Sequence, residues 1–267
     1  MTRALLAHGA HRLPPWSEAL LQRVEAAAFA ASASPHEQTL DGWVLRFDRS
    51  KAQRARCINP LQAGQMSVQV KLQTCAAHYA RQDLPVVVRI TPFTQPANLD
   101  AQLEAWGWAQ HDDSLVMVRA DLPTLPAWSQ PAGIQAQRVD HEQYAHTVGL
   151  LRGSTQTQIQ AHAQRLHACS TGYEGMVWRQ DGRVVACAQT ARDGDLVGLY
   201  DVFTAPHARG QGLSRKLCAS VLVLACAQGA QVAYLQVDAA NAAALAVYRH
   251  LGFEVAYGYH YRVPPTA

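Results

Sequence analysis

A chain of 267 residues, 49% apolar and only 16% charged, has room for two ordinary domains, each with enough apolar surface to bury its own core. Its formal net charge of +3 is not clustered, and no arginine stripe interleaves with aromatics, which argues against nucleic acid as a partner. The six cysteines are scattered without a Cys-x-x-Cys pair, which predicts buried free thiols and fits a reducing cytoplasm.

Segment 1–12 holds too brief an apolar core for a secretion signal, and His8 and His11 read as surface groups of a flexible lead. Apolar periodicity then predicts a helix over 16–31, strands over 42–48 and 56–61, and a helix over 67–82. A strand over 86–90, a short helix over 99–105 and a strand over 114–120 follow. Residues 120–133 are proline-rich and aperiodic, so domains at 1–122 and 134–267 are expected, joined by a linker at 123–133. The second part repeats the rhythm: helices between 142 and 168, then strands at 175–179, 183–191 and 196–204. A helix at 213–228, a strand at 232–237, a helix at 241–250 and a strand at 253–262 complete it. The longest apolar stretch, 217–227, is too short to cross a bilayer, so no membrane partner is expected. His162 and His167 do not share a helix face, and neither His-Glu-x-x-His nor Gly-x-Ser-x-Gly occurs; no metal and no serine-hydrolase chemistry is expected.

The most informative run is Arg209-Gly210-Gln211-Gly212, placed between a strand and a long helix. Glycines there let a backbone approach a ligand, and the free N–H groups and dipole of the helix N-terminus favour an anion such as a diphosphate. A Walker loop is excluded because no Gly-Lys pair occurs, and a dinucleotide fingerprint because Arg215 holds the third glycine position. The alternative is a helix start in which Gly210 and Gly212 serve only a tight turn. Further on, Asn241 can cap the helix at 241–250, Gly252 suits its left-handed end, and Tyr248 falls on its last turn.

Taken together, V-F-T-x-P-x-x-R-G-x-G-L (202–213) and N-x-x-A-x-x-x-Y-x-x-x-G-F (241–253) resemble motifs A and B of the GNAT family of acyl-CoA-dependent N-acyltransferases. The resemblance covers about 132–263 and implies an α/β (α+β) fold, a mixed sheet flanked by helices. It implies that Arg209, Gly210, Gln211, Gly212, Leu213 and Ser214 hold the coenzyme A pyrophosphate. Ser214 departs from the usual glycine or alanine. Val202 and Thr204 would pair with pantetheine through the main chain, the Val202 N–H polarising the thioester, and Asn241 would touch the same arm. Tyr248 would protonate the departing thiolate; a tyrosine on such a helix is also an ordinary core residue.

The carboxylate that the family often carries on the strand before motif A is replaced by Gly198, which leaves Asp201, Glu174, Asp238 and His260 as candidate bases. The resemblance thus implies a cytoplasmic N-acetyltransferase, monomeric or homodimeric, with acetyl-CoA as co-substrate and a small-molecule or protein amine as acceptor. The alternative is a non-catalytic acyl-CoA sensor or assembly subunit.

The first half looks like a degenerate copy. Trp106-Gly107-Trp108 stands where Leu251-Gly252-Phe253 stands, Leu103 where Tyr248 does, and residues 62–66 where the Arg-Gly-Gln-Gly loop should be. Tandem arrangements with one silent half are known in this family; the alternative is an unrelated α+β domain that ends in aromatic-Gly-aromatic. Its strands around 41–46 and 54–56 are expected either to wall the acceptor pocket or to form an ordinary solvated face.

Overall fold

The computed structural model describes residues 16–122 and 130–265. His8, His11 and positions 123–129 of the expected linker lie outside them.

In the first half, α1 (Glu18–Ala30) begins at Ser17, whose hydroxyl accepts from the Leu20 N–H. A hairpin of β1 (Glu37–Leu40) and β2 (Trp43–Arg46) leads to β3 (Ile58–Pro60), α2 (Val68–Arg81) and β4 (Val88–Ile90). Then come α3 (Leu99–Ala105) and β5 (Ala109–Arg119). The strand expected from 56 starts later, because Gln53–Ala55 close a single 3-10 turn; Arg54 therefore leaves from a turn and not from a strand.

In the second half, β6 (Gln135–Val139) precedes α4 (His141–Leu151) and α5 (Gln156–Ala168), started by Asp140 and by a Thr155–Gln158 capping box. Strands β7 (Gly172–Gln180), β8 (Arg183–Asp193) and β9 (Leu196–Thr204) follow. The half closes with α6 (Leu213–Ala227), β10 (Val232–Asp238), α7 (Ala242–His250) and β11 (Glu254–Val263).

Among the described residues eleven strands join one mixed sheet, in the order β1-β2-β3-β4-β11-β5-β10-β9-β8-β7-β6. The closing strands are exchanged. β11, the last strand of the second half, pairs with β4 of the first, His260 opposite Ile90. β5, the last strand of the first half, lies between β11 and β10, with Ala233 opposite Arg119 and Asp238 opposite Ser114. Both faces of the sheet are covered. One core, under α6 and α7, takes in Met117 and Leu122 from the first half. The opposite one, under α1, joins Val116 and Val118 of β5 to Tyr200, Tyr234 and Tyr257. Val116 and Val118 are fully buried, each stabilising the fold by about 2 kcal/mol. Sheet and core thus run across the boundary at 123–133. A buried ion pair of Arg89 with Glu25, which also accepts from the Tyr257 hydroxyl at 2.7 Å, ties α1 to β4 and β11. Cutting one partner leaves a buried charge uncompensated, at about 3–5 kcal/mol.

The cysteines are free, four of them buried and Cys169 and Cys226 half-buried. No helix among the described residues is long and apolar enough to cross a membrane.

Candidate active site

β9 and β10 run parallel and pair from Val232 opposite Leu196 to Leu235 opposite Leu199. There the pairing stops although both strands continue. β10 stays with β5 as far as Asp238, while β9 stays with β8, Phe203 opposite Cys187 and Thr204 opposite Ala186. The strands therefore diverge and leave a wedge. On its β8 side β9 carries an extra residue between Tyr200 and Phe203, a bulge with Asp201 at φ 49°. Neither Asp201 nor Val202 has a partner residue in either ladder, and a bulge of this kind re-aims main-chain groups. The Asp201 carbonyl is satisfied by the Tyr144 hydroxyl of α4 at 2.9 Å. Tyr144 fits because position 175 has no side chain: a Cβ there would stand 2.7 Å from its ring.

Beyond β9 a 3-10 turn (Pro206–Ala208) delivers the chain to Arg209, and Gly210 (φ 78°) and Gly212 (φ 70°) lead into α6. A Cβ at either glycine would touch nothing within 4 Å, so the left-handed backbone, not crowding, requires glycine. Gly212 caps α6 without a side-chain acceptor, and among the described residues nothing accepts from the amides of 210–214. Leu213 is buried and anchors the turn, while Ser214 is half-buried. Arg209 is exposed; its Nε donates to the Thr204 carbonyl at 3.4 Å, and its guanidinium lies 5.8 Å from the Phe203 ring centre.

Tyr248 is 8% exposed, edge-on to Phe253 at 6.1 Å, within the core that includes Leu213. Burial pushes its phenol upward, so it keeps its proton at neutral pH. Among the described residues none bonds its hydroxyl. Asn241 caps α7, its Oδ1 accepting from Ala244 at 3.0 Å, which leaves its NH2 group to donate elsewhere.

Beside the wedge lies a cavity of about 330 Å³, walled by both halves. Asp201 and Asp238, one from each diverging strand, line it together with Arg152, His162 and Arg165 of the second half and Arg54 of the first. Asp201 meets Arg152 at 2.6 Å and His162 Nε2 at 3.2 Å. Burial alone would raise its carboxyl, but Arg152 and His162 outweigh it and hold it well below the usual range. Asp201 is thus ionised and committed to Arg152 and His162, whereas Asp238 is exposed at the rim.

The other two candidate bases lie elsewhere. Glu174 sits 3.5 Å from Arg138 and accepts from Gln228, beside a separate small crevice. His260 is bonded to Asp100 at 2.9 Å and does not line the cavity.

Gly198 has a steric reason. A Cβ there would lie 2.5 Å from the Tyr200 ring and 2.7 Å from that of Tyr234. The two hydroxyls meet at 3.0 Å, and burial raises both phenols well above their ordinary value. The place of a carboxylate is filled by two aromatic rings, which follows only from the register of β9 on β10.

The family described as "Probable histone acetyltransferase Rv0428c C-terminal" matches residues 19–262. No curated protein matches the chain. Among solved structures, a GCN5-related N-acetyltransferase from Kribbella flavida superposes with a TM-score of 0.65 at 17% identity, covering 95% of this chain and 98% of that one. A functionally unknown conserved protein from Staphylococcus epidermidis gives 0.63 at 11% identity, covering 87% and 94%. A tandem GNAT protein from the clavulanic acid biosynthesis pathway gives 0.57 at 14% identity, covering 74% and 70%. At these identities the likeness is one of fold. The family match is broader in meaning, because it takes in both halves, and the chain is accordingly a member of this acetyltransferase family, with the GNAT fold.

Proposed function

We propose that the protein is an N-acetyltransferase that moves the acetyl group of acetyl-CoA to the primary amine of a small molecule by direct attack. One observation carries this reading: β9 and β10 part after Leu199 and Leu235, and a cavity lined by both strands opens beside the wedge. A sensor of acyl-CoA has no use for that second chamber. Its volume, at the low end of the roughly 300–1,000 Å³ of small-molecule sites, favours a metabolite over a protein lysine.

In this reading the amides of 209–214 and the positive end of α6 hold the pyrophosphate of coenzyme A, with Arg209 adding charge. The main chain at Val202 and Thr204 pairs with pantetheine as an added strand would, and the Asn241 amide donates to it. The Val202 N–H, without a strand partner, donates to the thioester carbonyl; one such donor lowers the barrier by ~3 kcal/mol. An amine with a pKa of about 10.4 is almost wholly protonated at pH 7, which costs roughly 4.6 kcal/mol. Asp238, exposed and in no ion pair among the described residues, is the base candidate that offsets part of that cost. The amine nitrogen bonds to the thioester carbon and loses its proton to Asp238 or solvent. As the C–S bond breaks, Tyr248 gives its phenolic proton to the thiolate and regains one from water.

Calorimetry with acetyl-CoA should register binding, and steady release of free coenzyme A should accompany it when amines are supplied. Absence of heat removes the coenzyme assignment. Binding without release across an amine panel would instead make the protein a sensor.

A further inference from the structure

Two guanidinium groups of the cavity meet no carboxylate among the described residues. Arg165, on α5, is 4% exposed; its Nη1 reaches only the Ala31 carbonyl, at 3.5 Å, and its Nε is buried without an acceptor. Arg54, on the 3-10 turn of the first half, donates to Gln236 Oε1 at 2.7 Å and lies 5.1 Å over the Tyr200 ring. Its Nε is likewise buried and has no acceptor. Arg152, by contrast, is neutralised by Asp201. The remaining carboxylates of the cavity, Asp112, Asp113 and Asp238, are all exposed. Inside, Asp201 is the one carboxylate among the described residues that faces Arg152, Arg165 and Arg54, so the chamber holds more cation than anion, with its other carboxylates at the rim. Buried cation in excess of its counter-ions is costly, and a ligand that brings a further anion relieves the cost.

Resting on the acetyl-transfer reading above, we infer that the acceptor is a primary amine that also bears a carboxylate, seated between Arg54 and Arg165 with its amine toward Asp238 and the wedge. A planar guanidinium takes a carboxylate through paired N–H donors, and two such groups fix the ligand's orientation as well as its charge. The two arginines come from different halves, so the anion seat exists only in the tandem chain. The transfer step is unaltered: the amine nitrogen gains the acetyl carbon, the C–S bond breaks, and the carboxylate takes no covalent part.

Full-length protein, acetyl-CoA and matched amines test this by coenzyme A release: L-phenylalanine against phenethylamine, L-lysine against cadaverine, and O-phosphoethanolamine against ethanolamine. The carboxylated member of the best pair should be favoured by about tenfold or more in kcat/KM. Arg54→Gln and Arg165→Gln should erase that preference by raising KM for the amino acid, with the Kd of acetyl-CoA unchanged. Arg165→Lys, which keeps the buried charge, guards against a variant that fails to fold, and should retain part of the preference. Equal use of both members, preference for the decarboxylated or phosphorylated amine, or a preference that survives Arg54→Gln overturns the inference. Heat with acetyl-CoA but none with either amino acid overturns it alone and leaves the coenzyme site standing. No heat with acetyl-CoA overturns the underlying reading as well.

Discussion

The loop that precedes α2 and the loop that precedes α6 occupy the same place in the two halves, and they have opposite fates. Before α2, the amides of Gln65 and Met66 donate to the Asp41 carboxylate at 2.9 and 2.8 Å, and buried Lys71 meets it at 2.8 Å. Gly64 is what lets Asp41 nest there, since a Cβ would collide with its carboxylate. Before α6, the amides of 210–214 find no acceptor among the described residues. A tethered carboxylate competes with any free anion at a very high effective concentration. In the first half the loop's amides are thus filled by the chain's own side chain, while in the second they remain open.

The largest break in this comparison is to separate the halves. A fragment of residues 130–267 lacks β5, so β10 and β11 lose the strand between them, together with the burial of Val116 and Val118. It should show no cooperative thermal transition by circular dichroism; a soluble, cooperatively folded fragment would refute the idea that the exchange is essential. Next in size, Tyr248→Phe should lower turnover by about a hundredfold with the Kd of acetyl-CoA nearly intact, as expected for a lost general acid. Leu103→Met, at the matching place in the first half, should leave turnover alone. An unchanged rate in Tyr248→Phe would take that phenol out of the reaction.

Smaller again, Arg209→Ala should weaken acetyl-CoA binding about tenfold, since an exposed guanidinium contributes a charge-assisted contact without being the sole anchor. Calorimetry measures it directly, and an unaltered Kd contradicts the assignment. The smallest effect is on pH dependence. The bond from Lys71, and then those from the Gln65 and Met66 amides, hold the Asp41 carboxyl down at about 2. A carboxyl depressed on folding contributes stability that is complete above its unfolded value, about 3.9, and is lost as pH falls toward 2. Asp41→Asn should flatten that part of the acid limb in thermal melts between pH 4 and 2 while acetyl-CoA binding stays as it was. A matching acid limb in both proteins would argue that Asp41 does not fill the loop in solution.

What the sequence made legible was local. The stretches 202–213 and 241–253 are each contiguous, and their strand, turn and helix signals stand within a few residues of the groups they position. Edge strands β1 and β6 carry no such signal, being mostly exposed and without apolar alternation. The exchange of β5 and β11 depends on pairing between segments far apart in the chain, which no periodicity encodes. The same holds for the cavity: Arg54 and Arg165 line one chamber only because the sheet runs across both halves. The missing carboxylate at 198 was visible, but its cause lay in Tyr200 and Tyr234, one of them on another strand.

The exchanged strands also govern how the polypeptide is made. β5 leaves the ribosome long before β10 and β11 exist, so a newborn first half must hold a strand with an apolar run at 115–118 and two unsatisfied edges until synthesis is almost complete. A mutation that slows synthesis or weakens α1 would lengthen that wait and favour pairing with a neighbouring nascent chain. The first half thus cannot be discarded without loss of the fold: it carries the strand that stands between β10 and β11 of the second.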